Sequence, residues 1–376
     1  MPVYMHWDAD ETTTMKTLRI LYIGADGGTS LQRARAFERL GHEVHTLSPY
    51  RFTTTSKIVG KWLLETGGLG LEEYVRLRTR LALPDGNFDL VWVDAGALVG
   101  PALVRDLRRR FGVVVNYNID DPFGQRDRRL WRLYLKAVPE YDLVAVVREE
   151  NIAEALAMGA RRVLRVFMSG DEVAHAPRAL NSDDWAQWGS EVVFVGTYMR
   201  GRGSFLAELV RRGVPLAIYG SLWERAREWP VLRFCWRGPG LTDASEYAKA
   251  IQCSKVSVGL LSKENRDLHT TRSMEIPYLG GLLCAERTAE HLSLYREGEE
   301  AVFWSSSEEC AEQCFRMLRN PQLRDSIAAR GRIRCLNNRM GNQDVLTAIL
   351  EEALPMRDKA RDATGETASA RSTALV

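Results

Sequence analysis

Leu18-Arg19-Ile20-Leu21-Tyr22-Ile23-Gly24-Ala25-Asp26-Gly27-Gly28-Thr29-Ser30-Leu31 sets the reading of the first half of the chain. Leu18–Ile23 is an apolar run of strand length. The small residues Gly24–Gly28 make a turn, and Thr29 or Ser30 can cap a helix. Leu31, Ala34, Phe37 and Leu40 then follow at helical spacing, with Gly41 just past the end. Val44–Leu47 is the next strand, and Phe88–Val93, Val113–Tyr117, Leu143–Val147 and Val163–Phe167 follow. Helices centred near Arg105, Leu130 and Ala155 lie between the later strands. Strands separated by helices imply a parallel, doubly wound sheet. Thr53–Leu83 fits neither period.

The alternation breaks near residues 171–190, a stretch rich in Asp, His, Pro, Asn and Ser, which reads as a linker. It then restarts. Strands are expected at Val192–Val195, Leu216–Tyr219, Val256–Leu261 and Leu282–Ala285. Helices are expected over Ser204–Arg212 and Asp243–Gln252, near 287–294, 307–319 and 321–335, and at Asp344–Leu354. The expected plan is therefore a disordered extension at 1–16, a Rossmann-like domain at 17–175 and a linker at 176–190. A second Rossmann-like domain follows at 191–335, then a helix at 336–354 and a disordered tail at 355–376.

With 376 residues, 45% hydrophobic and 27% charged, the chain can build two ordinary cores. Its formal net charge of +2 gives no global argument for nucleic acid or membrane. No apolar run approaches a membrane span and no signal-peptide pattern is present, so a cytoplasmic protein is expected. Cys235, Cys253, Cys284, Cys310, Cys314 and Cys335 show neither zinc-ligand spacing nor a disulfide framework.

The first turn and the second strand end argue against a dinucleotide site in the first half. The G-x-G-x-x-G positions read Gly24, Asp26 and Thr29, and Ser48-Pro49-Tyr50 stands where an acid should end the second strand. The Gly24–Gly28 loop is a tight turn, or one that lets a ligand approach the amides around Gly28. In the second half, Gly196-Thr197-Tyr198-Met199-Arg200-Gly201-Arg202-Gly203 links a strand to a helix. Arg200 and Arg202 beside a helix N-terminus have the makings of a phosphate site. The densest stretch runs from Asp267 through His269, Arg272 and Glu275 to Pro277 and Gly280-Gly281. Carboxylates there can accept from ribose or sugar hydroxyls; a capping Thr with an Arg–Glu pair would look the same. Pro277 fits a helix starting near Ile276 and would distort one already under way. Asp120 and Asp121 end a strand, where one could orient or deprotonate a hydroxyl; Asp121 also fits a cap before Pro122. Asp8-Ala9-Asp10 has the letters of a D-x-D metal motif but stands in a patternless terminus.

These pieces, in order, resemble the CgeB-like (spore maturation protein type) glycosyltransferases, a group 1-like branch of the GT-B superfamily. The resemblance is carried by Val193-Phe194-Val195-Gly196 with Arg202, Tyr219-Gly220 with Trp223, and Arg272-Ser273-Met274-Glu275-Ile276-Pro277 with Gly280-Gly281. Glu297-Gly298-Glu299-Glu300 and Ile327-Ala328-Ala329-Arg330-Gly331 complete it over residues 190–335. Asn118-Ile119-Asp120-Asp121-Pro122 matches more loosely. The resemblance implies two Rossmann-like domains facing across a cleft and metal-independent, retaining transfer of hexosyltransferase type. No cofactor is implied: the nucleoside-diphosphate sugar is a donor substrate, bound by the C-terminal domain. The acceptor, a glycan, protein or small molecule, would bind the N-terminal domain. Arg202 and Arg272, with Arg200 second, would clamp the diphosphate; Glu275 would hold the ribose and Asp267 the donor sugar, although Asp stands there in place of the family's Glu. His269 would lie near phosphate or sugar. A binding adaptor without catalysis and a non-hydrolysing epimerase are the alternatives.

Overall fold

A computed structural model describes residues 16–53, 57–241 and 243–373. Residues 1–15, including Asp8-Ala9-Asp10, lie outside them. The chain divides into two compact units, Met1–Phe167 with Val345–Val376, and Met168–Asp344.

The first unit contains β1 (Arg19–Ile23), α1 (Gly28–Arg39), β2 (Glu43–Leu47), α2 (Lys57–Thr66), α3 (Glu72–Leu81) and β3 (Leu90–Asp94). It continues with α4 (Pro101–Phe111), β4 (Val114–Asn118), α5 (Arg132–Ala137), β5 (Leu143–Val146), α6 (Glu149–Ala157) and β6 (Val163–Arg165). The strands form one parallel sheet in the order β2-β1-β3-β4-β5-β6. Every residue of β3, β4 and β5 is buried, as expected where helices cover both faces. Within the Thr53–Leu83 stretch the described residues form the helices α2 and α3. Their outward faces carry Trp62 and Leu77, both exposed, which blurs the apolar period the sequence reading looks for.

The second unit contains α7 (Ser182–Trp188), β7 (Ser190–Val195), α8 (Arg202–Arg211), β8 (Leu216–Tyr219), α9 (Trp229–Leu232) and β9 (Trp236–Gly238). Next come α10 (Ala244–Gln252), β10 (Ser254–Gly259), α11 (Arg272–Tyr278), β11 (Leu283–Glu286), α12 (Ala289–Leu294) and β12 (Val302–Trp304). Its last elements are α13 (Ser307–Arg319) and α14 (Pro321–Asn337); α15 (Asn342–Thr373) begins at its end and from Val345 on belongs to the first unit. The sheet is again parallel, ordered β12-β11-β10-β7-β8-β9. The fold is thus α/β, with two Rossmann-like sheets.

Two boundaries differ from the sequence reading. Residues 171–190 belong to the second unit and are not a linker. Asp171 and His175 are buried, and their polar groups are satisfied inside: Asp171 Oδ1 accepts from the Val173 and Ala174 amides, and Asn342 donates to Oδ2 at 3.0 Å. Asn181 and Asp184 form a capping box that starts α7. The stretch reads as a linker because its polar residues are caps and internal anchors. At the other end α15 continues through Pro355 to Thr373, where a disordered tail was expected. One proline removes a single backbone donor, and the Ala, Arg and Glu around it favour helix. Among the described residues no helix is long and apolar enough to cross a membrane.

The strand order of the first sheet reverses between β1 and β3. Asp94 ends β3 there, and Arg33 reaches it from α1 with two parallel bonds of 2.8 Å each. Both side chains are almost wholly buried. The guanidinium also lies over the Tyr117 ring, 5.4 Å from its centroid. Burial alone would lower the Arg33 pKa, but Asp94 outweighs it and the group stays charged. The Gly24 backbone passes so close that a Cβ would stand 2.6 Å from Ser30 Oγ and 3.1 Å from Asp94 Cβ. Gly24 is therefore required by packing, whereas a Cβ at Gly28 would enter open space. Removing one partner of a buried ion pair typically costs about 3–5 kcal/mol, because the other charge is left unpaired. Asp94→Ala should lower the unfolding midpoint of the protein steeply in a thermal or urea melt; a loss under about 1 kcal/mol would contradict this reading.

Candidate functional site

In a doubly wound sheet, ligands bind outside the carboxyl ends of the strands where the order reverses. In the second sheet that point lies between β7 and β10. Arg202, the first residue of α8, spans it: one guanidinium nitrogen donates to Thr197 O at 3.0 Å and the other to Leu260 O at 3.1 Å. These carbonyls follow β7 and β10. Gly201, at φ +87°, supplies the left-handed turn that starts α8.

Arg272 reaches the same strand end from α11. Its Nε donates to Val195 O at 3.3 Å, and its guanidinium lies 4.8 Å from the centre of the Tyr247 ring. It pairs with Glu275 one turn further along the helix. Glu275 is only 2% exposed. Burial would raise its pKa, but Arg272 and then His175 outweigh that and hold the carboxyl below its ordinary value. His175 Nε2 stands 3.7 Å from the carboxylate, while its Nδ1 accepts from the Asp171 amide at 2.8 Å. Arg272 takes Oε2 of Glu275, and Oε1 is the oxygen that faces His175. Neither Asp171 nor His175 was singled out in the sequence. The visible signal was an Asp and a His four residues apart in a stretch otherwise read as linker.

The remaining candidates divide into internal anchors and exposed groups. Asp267 is buried; its Oδ2 accepts from the Ser262 amide at 3.3 Å and its own amide donates back to Ser262 O at 3.2 Å. It closes the loop between β10 and α11. His269 is buried as well, accepting at Nε2 from the Met168 amide at 2.9 Å and facing Glu290 through Nδ1. Arg200 is exposed in the turn before α8. In the first unit, Asp121 is buried and accepts from the Gly124 amide at 3.1 Å and from Asn151 Nδ2 at 2.9 Å. Asp120 is exposed; desolvation raises its pKa, against the pull of Arg148 and Arg33. Gly28 starts α1 at φ +58°.

The Tyr219-Gly220 and Trp223 signature also has a structural role. Trp223 Nε1 donates to Gly196 O at 2.9 Å, and a Cβ at Gly220 would stand 1.9 Å from that same oxygen. The glycine lets the ends of β7 and β8 close up beneath the 196–201 turn. One group with metal-holding chemistry escaped the sequence reading. The sulfurs of Cys284, Cys310 and Cys314 lie within 4.8 Å of one another in the core of this unit. The cysteines sit on β11 and on two successive turns of α13, so the spacing along the chain conceals the cluster.

A family model described as "Glycosyl transferase-like" matches residues 202–351, beginning at Arg202 and containing Arg272 and Glu275. No curated protein sequence matches the chain. Among solved structures, sucrose-phosphate synthase from Thermosynechococcus elongatus superposes with a TM-score of 0.64 at 15% identity, covering 90% of this chain and 99% of that one. Anabaena HepE in complex with UDP and glucose gives 0.60 at 12% identity, covering 89% and 99%. An E. coli structure described as "Trehalose-6-phosphate from E. coli bound with UDP-2-fluoro glucose" gives 0.60 at 12%, also covering 89% and 99%. At these identities the likeness is one of fold.

Behind α11, His291 supports the helix that carries both Arg272 and Glu275. Its Nδ1 faces Glu286 O at 2.6 Å, which leaves Nε2 to accept from Ser273 Oγ at 2.7 Å. Burial lowers its pKa from 6.5 to about 4. Between those values the unfolded chain takes up a proton that the folded protein refuses. The stabilisation is therefore complete above pH about 6.5 and is lost as pH falls towards 4, by up to ~3 kcal/mol. Unfolding midpoints measured across pH 7 to 4 should fall less steeply in His291→Gln than in the wild type; parallel curves would refute the assignment.

Proposed function

We propose that this chain is a glycosyltransferase that takes a nucleoside-diphosphate sugar at the β7/β10 reversal and passes the sugar to an acceptor at the first unit. The observation that carries the reading is Arg202, anchored across the reversal on carbonyls of both strand ends, with Arg272 held beside it. A "Glycosyl transferase-like" family match that spans both arginines supports it. So does a fold shared with HepE, whose described complex holds UDP and glucose.

The chemistry follows from charge. As the sugar leaves, negative charge grows on the diphosphate. Two guanidiniums already fixed at the strand end, with the N-terminus of α8, stabilise that charge without reorganising. In this reading the arginines meet the leaving-group charge themselves, and no metal is invoked. Glu275 is a positioning residue: its buried charge fixes Arg272. Asp267 and His269 shape the loop that leads into α11. On the acceptor side Asp120 is the better base, because it is exposed while Asp121 is buried and held by Gly124 and Asn151. Asp121 holds the turn behind it. The retaining outcome implied by the resemblance is tested by the anomeric configuration of the product.

Titration with UDP and GDP checks the site. Arg202→Ala and Arg272→Ala should each weaken binding of the preferred nucleotide at least tenfold and slow turnover by about two to three orders of magnitude. Unchanged affinity in both would remove the site from this place. Binding of sugar nucleotides without hydrolysis or transfer would favour an adaptor, and donor conversion without acceptor an epimerase.

A further inference from the structure

We propose that the first unit docks on an anionic lipid bilayer, through α2 and the segment between β4 and α5. The proposal concerns where the protein works, and it stands whether or not the transfer reading does.

The segment after β4 and the start of α5 form an open depression of about 850 Å³, walled on one side by Glu65 of α2. Arg128, Arg129, Arg132 and Lys136 line it; all four are exposed and none pairs with a carboxylate among the described residues. The two acids of the wall are already engaged. Asp127 pairs with Arg126 at 3.1 Å, and Glu65 lies 3.7 Å from Lys61. The chain's small net charge of +2 therefore hides a local excess of positive charge.

An apolar ridge adjoins this depression. Ile58, Trp62 and Glu65 are spaced as i, i+4 and i+7, so they share one face of α2, and that face ends in the depression's wall. Ile58 is 81% exposed, Trp62 46% and Leu69 51%. Trp62 Nε1 donates to Leu69 O at 3.0 Å, which ties the ridge to the turn after α2. That turn lies directly on the cationic segment, since a Cβ at Gly67 would stand 2.0 Å from Arg129 O.

Large exposed apolar side chains beside unpaired cations match the two layers of an anionic membrane surface. Trp and Ile suit the boundary between headgroups and acyl chains, and the cations suit the phosphates. A soluble anion would use the cations but leave the ridge without a purpose. Neither signal suffices alone, but stable peripheral binding takes two such signals together.

Vesicle sedimentation with the full chain tests this. Vesicles of phosphatidylcholine with phosphatidylglycerol should capture the protein, and vesicles of phosphatidylcholine alone should not. Each cation near an anionic surface contributes about fivefold in partitioning. The triple variant Arg128→Glu, Arg132→Glu, Lys136→Glu should therefore lose at least about a hundredfold, and Trp62→Ser should lose about tenfold. Capture should also fall as salt rises from 0.1 to 0.5 M, because the attraction is screened. An unfolding midpoint equal to that of the wild type shows that each variant is folded. The proposal is overturned if neutral and anionic vesicles capture equally. Capture that survives the triple reversal in folded protein overturns it too, as does inorganic pyrophosphate binding the depression while vesicles do not.

Discussion

A parallel sheet covered by helices on both faces leaves charged side chains few places to go. Its strands must be apolar throughout, and its polar chemistry gathers at the carboxyl ends, most of all where the strand order reverses. The centre of the first sheet follows this constraint closely. β3, β4 and β5 are buried along their whole length, and the first buried charge at a strand end is Asp94, the last residue of β3. The two reversals are built on the same plan, a strand, a glycine-containing turn and a helix that carries an arginine.

They differ in what answers that arginine. At the first reversal Arg33 meets a carboxylate in a bidentate pair, shut away beneath Tyr117. That pair is internally balanced and acts as a cornerstone of the fold. At the second, Arg202 donates to two carbonyl oxygens, which hold it across the ends of β7 and β10. Arg272 stands beside it, partly exposed, with Glu275 drawn inward. In the proposed function the second unit, with Arg202 and Arg272 at one strand end, is the one that meets the anion.

Much of the fold was legible in the sequence because central strands are unbroken apolar runs. Leu216–Tyr219 appears with the boundaries its pattern gives, and Leu143–Val147 is off by one residue. Edge strands were harder. β9 is three residues long and half polar, so Trp236–Gly238 carries too little signal to read. Of the candidate site, the placement of the arginines follows the sequence pattern, while the anchoring contacts of other residues do not show in it. Arg202 and Arg272 do lie together at one strand end. Asp121, Asp267 and His269 instead turn inward to backbone amides or neighbouring side chains, since a short polar side chain in a turn is as well suited to anchoring backbone as to meeting a ligand. Sequence spacing cannot tell those uses apart. Two other contacts lie beyond the reach of spacing because their partners are distant in sequence: His175 beside Glu275, and Cys284 beside Cys310 and Cys314.

The proline of α11 shows how tightly this part of the structure is determined. Pro277 stands inside the helix and does not start it. It has no N–H to give to the carbonyl four residues back, which belongs to Ser273, and an orphaned buried carbonyl is costly. The Tyr295 hydroxyl fills that place, donating to Ser273 O at 2.7 Å. Ser273 is also the residue whose hydroxyl meets His291. A single residue on α11 is thus gripped by Tyr295 through its backbone and by His291 through its side chain. Arg272 immediately precedes it, and Glu275 follows half a turn on. A seven-residue helix interrupted by proline would have little stability alone. Here tertiary hydrogen bonds replace the one the proline removes, and they fix the helix where its first residue must hold a guanidinium at the end of β7.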